Sequence, residues 1–146
     1  MTNKTKENPK KSDSATISKI LMTAKAPKLN PKSGGFIHFE IFEKNKVLCL
    51  KMTANDGGGG LYSKENIPIR KLLTVLDEIK SPSKHFNSAI FKTLFTSGSA
   101  NNGAFMASIA RELSLIAAVP TKMYSHQLSV NYAESKKKLL ALASKP

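Results

Sequence analysis

The sequence predicts an α+β domain: an N-terminal β-hairpin within an antiparallel sheet, packed against three to four α-helices and preceded by a disordered basic tail. Three observations carry this prediction. Residues 36–53 alternate between apolar and polar positions around a turn-forming pair. Residues 67–118 carry apolar stripes at helical spacing. Residues 1–32 contain no aromatic side chain, and they hold eight lysines against two carboxylates, a net charge of +6. The division that follows is a flexible basic tail over 1–32 and a single α+β domain over 33–146.

Within the tail, Pro9, Pro27 and Pro31 interrupt any long element. Ile17, Ile20, Leu21 and Ala24 fall at helical spacing, but two turns are too short to be stable alone. No apolar stretch near the start resembles a secretory signal, and the tail has no Arg, unlike a mitochondrial presequence.

The hairpin is the clearest element. Ile37, Phe39 and Ile41 form one face of its first strand, and Leu48, Leu50 and Met52 match them on the second. Placing Lys44 and Asn45 at the centre of a two-residue turn sets Ile41 opposite Leu48 and Phe39 opposite Leu50. The other face carries Phe36, His38, Glu40, Phe42, Val47, Cys49 and Lys51, a mixed set that is either half covered or a binding surface. An open hairpin edge also makes a homodimer through strand pairing available.

Asn55-Asp56 and four glycines, Gly57 to Gly60, then form a flexible connector, with a short strand expected over 61–63. Pro68 opens a first helix lined by Ile69, Leu72, Leu73, Leu76 and Ile79. A second follows Ser81-Pro82, lined by Phe86, Ile90, Phe91, Leu94 and Phe95. A third runs from about Ala104 to Ala118, and Pro120 ends it. Residues 123–132 alternate as a strand would, yet Tyr124, Leu128 and Tyr132 also sit four apart. The unbroken alternation favours the strand. A last helix covers roughly 133–143.

Composition narrows the function. The 146 residues carry 23 Lys+Arg against 10 Asp+Glu, a net charge of +13, and such a balance points to a polyanionic partner. A single cysteine excludes a disulfide framework and a cysteine-based zinc site, and it fits the reducing cytoplasm. No long uncharged apolar run exists, so no membrane partner is expected.

Enzymatic constellations are absent from the pattern. His38, His85 and His126 form no metal array, and the acids do not converge. Cys49 lies diagonally from His38 in the expected register, but a small half-buried Cys is the ordinary reading. The glycine run lacks the Gly-Lys-Ser/Thr of a phosphate loop. Ile109 to Leu115 resembles the first helix of a helix-turn-helix, but Pro120 falls where the recognition helix should run. No catalytic residue, cofactor or metal is expected.

Binding to single-stranded DNA or RNA is the model that fits. It needs aromatics for stacking on a sheet, flanked by lysines that follow phosphates. The candidates are Lys10, Lys11, Lys28 and Lys32 of the tail; Phe36, His38, Phe42 and Lys51 of the hairpin face; Lys44 and Lys46 at its turn; and Tyr62 and Lys64 beyond the glycines. Phe36 and Phe42 read equally as core residues. Lys outnumbers Arg 21 to 2, so sequence-nonspecific, salt-sensitive contact is expected rather than bidentate base reading. Lys136, Lys137 and Lys138 form a second basic cluster that also reads as a solvated helix face. The competing class is an adaptor or inhibitor whose lysines meet an acidic protein.

Overall fold

The computed structural model describes residues 18–57, 62–99 and 101–143. It is α+β, with two antiparallel sheets. Strands β1 (Ser18–Pro27), β2 (Phe36–Lys44), β3 (Val47–Asn55) and β4 (Ile67–Pro68) form the first, in sequence order. The second comprises β5 (Phe86–Asn87), β6 (Ile116–Val119) and β7 (Lys122–Leu128), with β7 central. Helices α1 (Ile69–Asp77), α2 (Asn101–Glu112) and α3 (Tyr132–Leu140) complete the fold, together with a 3-10 helix over Ser88–Leu94.

The first departure from expectation is β1. Residues 18–27 were expected in a basic tail, with a short helical piece, but they pair with the whole length of β2. Met22, Ala24 and Ala26 lie opposite Ile41, Phe39 and Ile37 and turn toward the core. A bulge between Ile20 and Met22 resets the pairing, which is why the spacing in sequence imitates a helix. Of the rest of the expected tail, residues 28–32 belong to the connection between β1 and β2, and residues 1–17 lie outside the described residues.

The β2–β3 hairpin forms with the expected faces but a register two residues away. Ile41 lies opposite Leu50 and Phe39 opposite Met52, because the turn is Asn45-Lys46 rather than Lys44-Asn45. Both turn residues have positive φ, 52° and 66°, as a tight turn matched to strand twist requires. A shift of two keeps every side chain on its face.

Three further expectations change. Of the strand expected at 61–63, residue 61 lies outside the described residues and residues 62–63 are not in a strand; the fourth strand is the two-residue β4, paired to Cys49 and Leu50. The expected second helix is β5 followed by the 3-10 helix, with Asn87 capping Ala89. The third helix ends at Glu112, eight residues before Pro120. Ser114 adopts φ +60°, and Leu115 N–H closes the end by donating to Ala110 O at 3.0 Å. Ile116–Val119 is then free to become β6, and the strand reading of the following stretch holds over Lys122–Leu128.

The core lies between the inner face of the first sheet and α1, α2 and the 3-10 helix. Ile37, Phe39, Ile41, Leu50 and Met52 meet Leu72, Leu76, Phe91, Met106 and Ile109 there. Helix α2 is buried around most of its circumference because it touches β1 and β2 on one side and β6 and the 3-10 helix on others. Gly103 permits this approach: a Cβ there would stand 2.9 Å from the Ser88 carbonyl oxygen.

Candidate nucleic-acid interface

Alternation along β2 sends Phe36, His38, Glu40, Phe42 and Lys44 to the face of the sheet opposite the core. Cross-strand pairing adds Lys25 beside His38 and Lys51 beside Glu40. The two lysines lie over rings. Lys25 Nζ is 4.3 Å from the Phe36 centroid, and Lys51 Nζ is 5.7 Å from that of Phe42. Lys51 also lies 4.0 Å from Glu40 Oε1. Phe42 is only 3% exposed, so it offers no open ring face for a base. Phe36 is half-buried, with an ammonium on its ring.

One end of this face is organised by Asp56. His38 Nε2 donates to Oδ1 at 2.8 Å, and the Phe36 N–H donates to Oδ2 at 3.1 Å. Lys28 Nζ donates to the Asp56 carbonyl. The His38 hydrogen bond is the main reason the Asp56 carboxyl is held below the usual range. Gly35, with φ +76°, is required here, since a Cβ would fall 2.5 Å from Asp56 Cβ.

The other candidates are more dispersed. Lys44 ends β2, about 26 Å along the strand from Phe36 at the usual rise per residue, and Lys46 is the second residue of the hairpin turn. Lys32 is exposed in a single 3-10 turn over Pro31–Ser33, and Lys64 is exposed beyond β3. The Tyr62 hydroxyl donates to the Thr53 carbonyl at 3.0 Å, which ties it to β3. Lys10 and Lys11 lie outside the described residues. In the C-terminal cluster, Lys136 is engaged by Asp77 at 2.9 Å, while Lys137 and Lys138 are exposed. The outer face thus gathers Phe36, His38, Phe42 and Lys51, whereas the Lys28 ammonium lies 5.9 Å from the Phe105 ring centroid of α2, on the core side of the sheet. Lys25 and Asp56 join this face without a signal in the sequence, the first through pairing of β1 with β2 and the second through its bonds to His38 and Phe36.

Cys49 lies opposite Phe42, whereas His38 lies opposite Ala54, five residues further along β3. The diagonal Cys49–His38 contact open in the expected register is therefore lost. Burial pushes the Cys49 thiol up, away from the reactive thiolate.

A second polar group, unforeseen from sequence, lies between α2 and the second sheet. His126 on β7 is fully buried. Arg111 reaches its Nδ1 with Nε at 3.2 Å and Nη2 at 3.0 Å. The same Nη2 donates to the carbonyls of Met123 and Ser125, at 3.3 and 3.2 Å. On the other side of the ring, Nε2 lies 2.7 Å from Ser88 Oγ.

A guanidinium only donates, so Nδ1 is the acceptor and the imidazole proton resides on Nε2. His126 therefore donates to Ser88. A base that activates a serine must instead accept from it, so this ring is wired against that chemistry. Burial, with Arg111 beside it, lowers the His126 pKa to about 4, and the ring is neutral at physiological pH.

Glu65 closes the neighbouring loop. Its carboxylate accepts from Thr96 N–H at 2.9 Å, Ser97 N–H at 3.1 Å and Ser63 Oγ at 2.7 Å. These bonds, led by that of Thr96, bring its pKa down to about 2. Among the described residues, no group of three or more His, Cys, Asp or Glu side chains could hold a metal ion. No helix among them is long and apolar enough to cross a membrane. Comparison with known proteins finds no matching family model, no matching curated protein and no matching solved structure.

Proposed function

We propose that the chain is a non-catalytic nucleic-acid-binding protein that contacts single-stranded DNA or RNA with little sequence preference. The contact surface is the outer face of the first sheet, and the lysines of residues 1–17 add to it. The observation that carries this reading is the pair of ammonium groups, Lys25 and Lys51, held over rings on one sheet face. A lysine so held loses less freedom on meeting a phosphate than one waving in solvent. Lys44 extends the same surface, and the net charge of +13 draws a polyanion toward it. Because lysines occupy the ring faces, the contact is with the phosphate backbone more than with stacked bases.

The test is fluorescence anisotropy with single- and double-stranded oligonucleotides over a series of salt concentrations. Affinity should fall linearly on a log–log plot, and the slope should decrease by about one for each of Lys25→Gln and Lys51→Gln. No binding of either form at low salt would refute the reading.

A second reading is supported by a specific feature. Ile20 and Val47, 58% and 43% exposed, flank Phe42 on the same face. An apolar spot ringed by lysines also suits an acidic protein partner. Retention of the chain by an acidic polypeptide, with no retention by oligonucleotides, would favour this reading.

A further inference from the structure

The Ser88–His126–Arg111 chain has a consequence at the surface. Ser88 accepts the His126 Nε2–H, so its own hydroxyl hydrogen is left to donate. Ser88 lines a cleft of about 410 Å³ between the start of the 3-10 helix, the first turn of α2 and Tyr124. Asn87 lines it too. Its Oδ1 is used in accepting from Ala89 N–H at 2.8 Å, which leaves the amide NH₂ end to donate. Lys92, one turn further along, lines it with an exposed ammonium group. No carboxylate contributes to the wall. Gly103 keeps the cleft in register with Ser88, since a Cβ there would collide with the Ser88 carbonyl oxygen.

Three residues that carry donors of different kinds, one of them fixed from behind by a buried histidine, thus line one open cleft whose wall holds no carboxylate. Oxyanions suit such a set, and a tetrahedral phosphate can accept from several donors at once. Orienting the hydroxyl in advance removes part of the cost of binding. We propose that this cleft binds a phosphate group, with Ser88 Oγ–H, the Asn87 amide and the Lys92 ammonium as its donors. The phosphate is either a free one or one carried by a nucleotide. This inference is independent of the sheet face, which uses other lysines.

The experiment follows amide shifts of the full chain during titration with inorganic phosphate, thymidine 5′-monophosphate and thymidine, at constant ionic strength. Both phosphates should give saturable shifts confined to residues 87–92 and 101–104, and thymidine should give none. Monophosphate binding tighter than inorganic phosphate identifies a nucleotide-borne group, and equal binding identifies the free ion. Lys92→Gln, an exposed change that leaves the fold intact, should weaken binding about tenfold, the size of one charge-assisted hydrogen bond. Ser88→Ala should weaken it several-fold, whereas Lys51→Gln should not alter it. The proposal is overturned if shifts at these residues do not saturate, if Lys92→Gln leaves them unchanged, or if thymidine matches its monophosphate.

Discussion

The outer face of the first sheet and the seam between α2 and the second sheet use polar groups in opposite ways. On the face, Lys25 and Lys51 are exposed or half-exposed, and each touches one ring. In the seam, His126 is fully buried, and both its nitrogens are engaged. An exposed charge contributes little to stability because water and salt screen it. A buried polar group costs several times more if its partner is removed, because nothing replaces the lost hydrogen bond. The face can therefore change its chemistry without disturbing the fold, while the seam cannot.

The largest effect expected from this contrast is Arg111→Met. It removes the donor to His126 Nδ1 and to two carbonyls of β7, and it should cost about 3 kcal/mol in urea unfolding. A loss below about 1 kcal/mol would erase the distinction between the two regions.

Acid should reveal the same seam. The unfolded chain takes up the His126 proton near its ordinary pKa of 6.5, whereas the folded chain resists it until about 4. Stability from this group is complete above pH 6.5 and falls as the pH drops toward 4, by up to about 3 kcal/mol. Unfolding midpoints between pH 7 and 4 measure it, and a flat profile there would contradict the burial of His126. Glu65 acts in a lower window. Its carboxylate contribution is present above its ordinary pKa of 4.5 and disappears as the pH falls through about 2.

Next in size is Glu65→Gln, which weakens the acceptor that holds Thr96 and Ser97. A loss of about 1–2 kcal/mol is expected, with amide exchange accelerated first at residues 96–99. The smallest stability effects belong to the face. Lys25→Gln and Lys51→Gln should each stay within about 0.5 kcal/mol of the parent while reducing the salt dependence of oligonucleotide binding. If either variant unfolded the domain, the face would be structural rather than a contact surface.

How much of this was legible depended on the range of the contacts. The alternation of Ile37, Phe39 and Ile41 with polar neighbours announced β2 and its buried face, because the period of a strand is local. The register lies two residues from the one local patterning suggests, because Lys44, Asn45 and Lys46 are all polar and each suits a turn. Only the positive φ of both Asn45 and Lys46 selects the turn. β1 was illegible because its inward residues, Met22, Ala24 and Ala26, are modest in size and its outward ones are largely polar. It becomes a strand only because β2 offers an edge. The seam had no signature either, since Ser88 and Arg111 lie 38 and 15 residues from His126.

By itself, the sequence determined the α+β class, the faces of the hairpin, the stripe of α1 and the lysine excess, all of which follow from side chains a few residues apart. Tertiary structure decided that Lys25 joins the sheet face and that Phe42 is closed. It also decided that His126 donates to Ser88 instead of accepting from it. Each depends on which distant group comes within hydrogen-bonding or van der Waals reach, and that is settled by packing around α2 rather than by any local pattern.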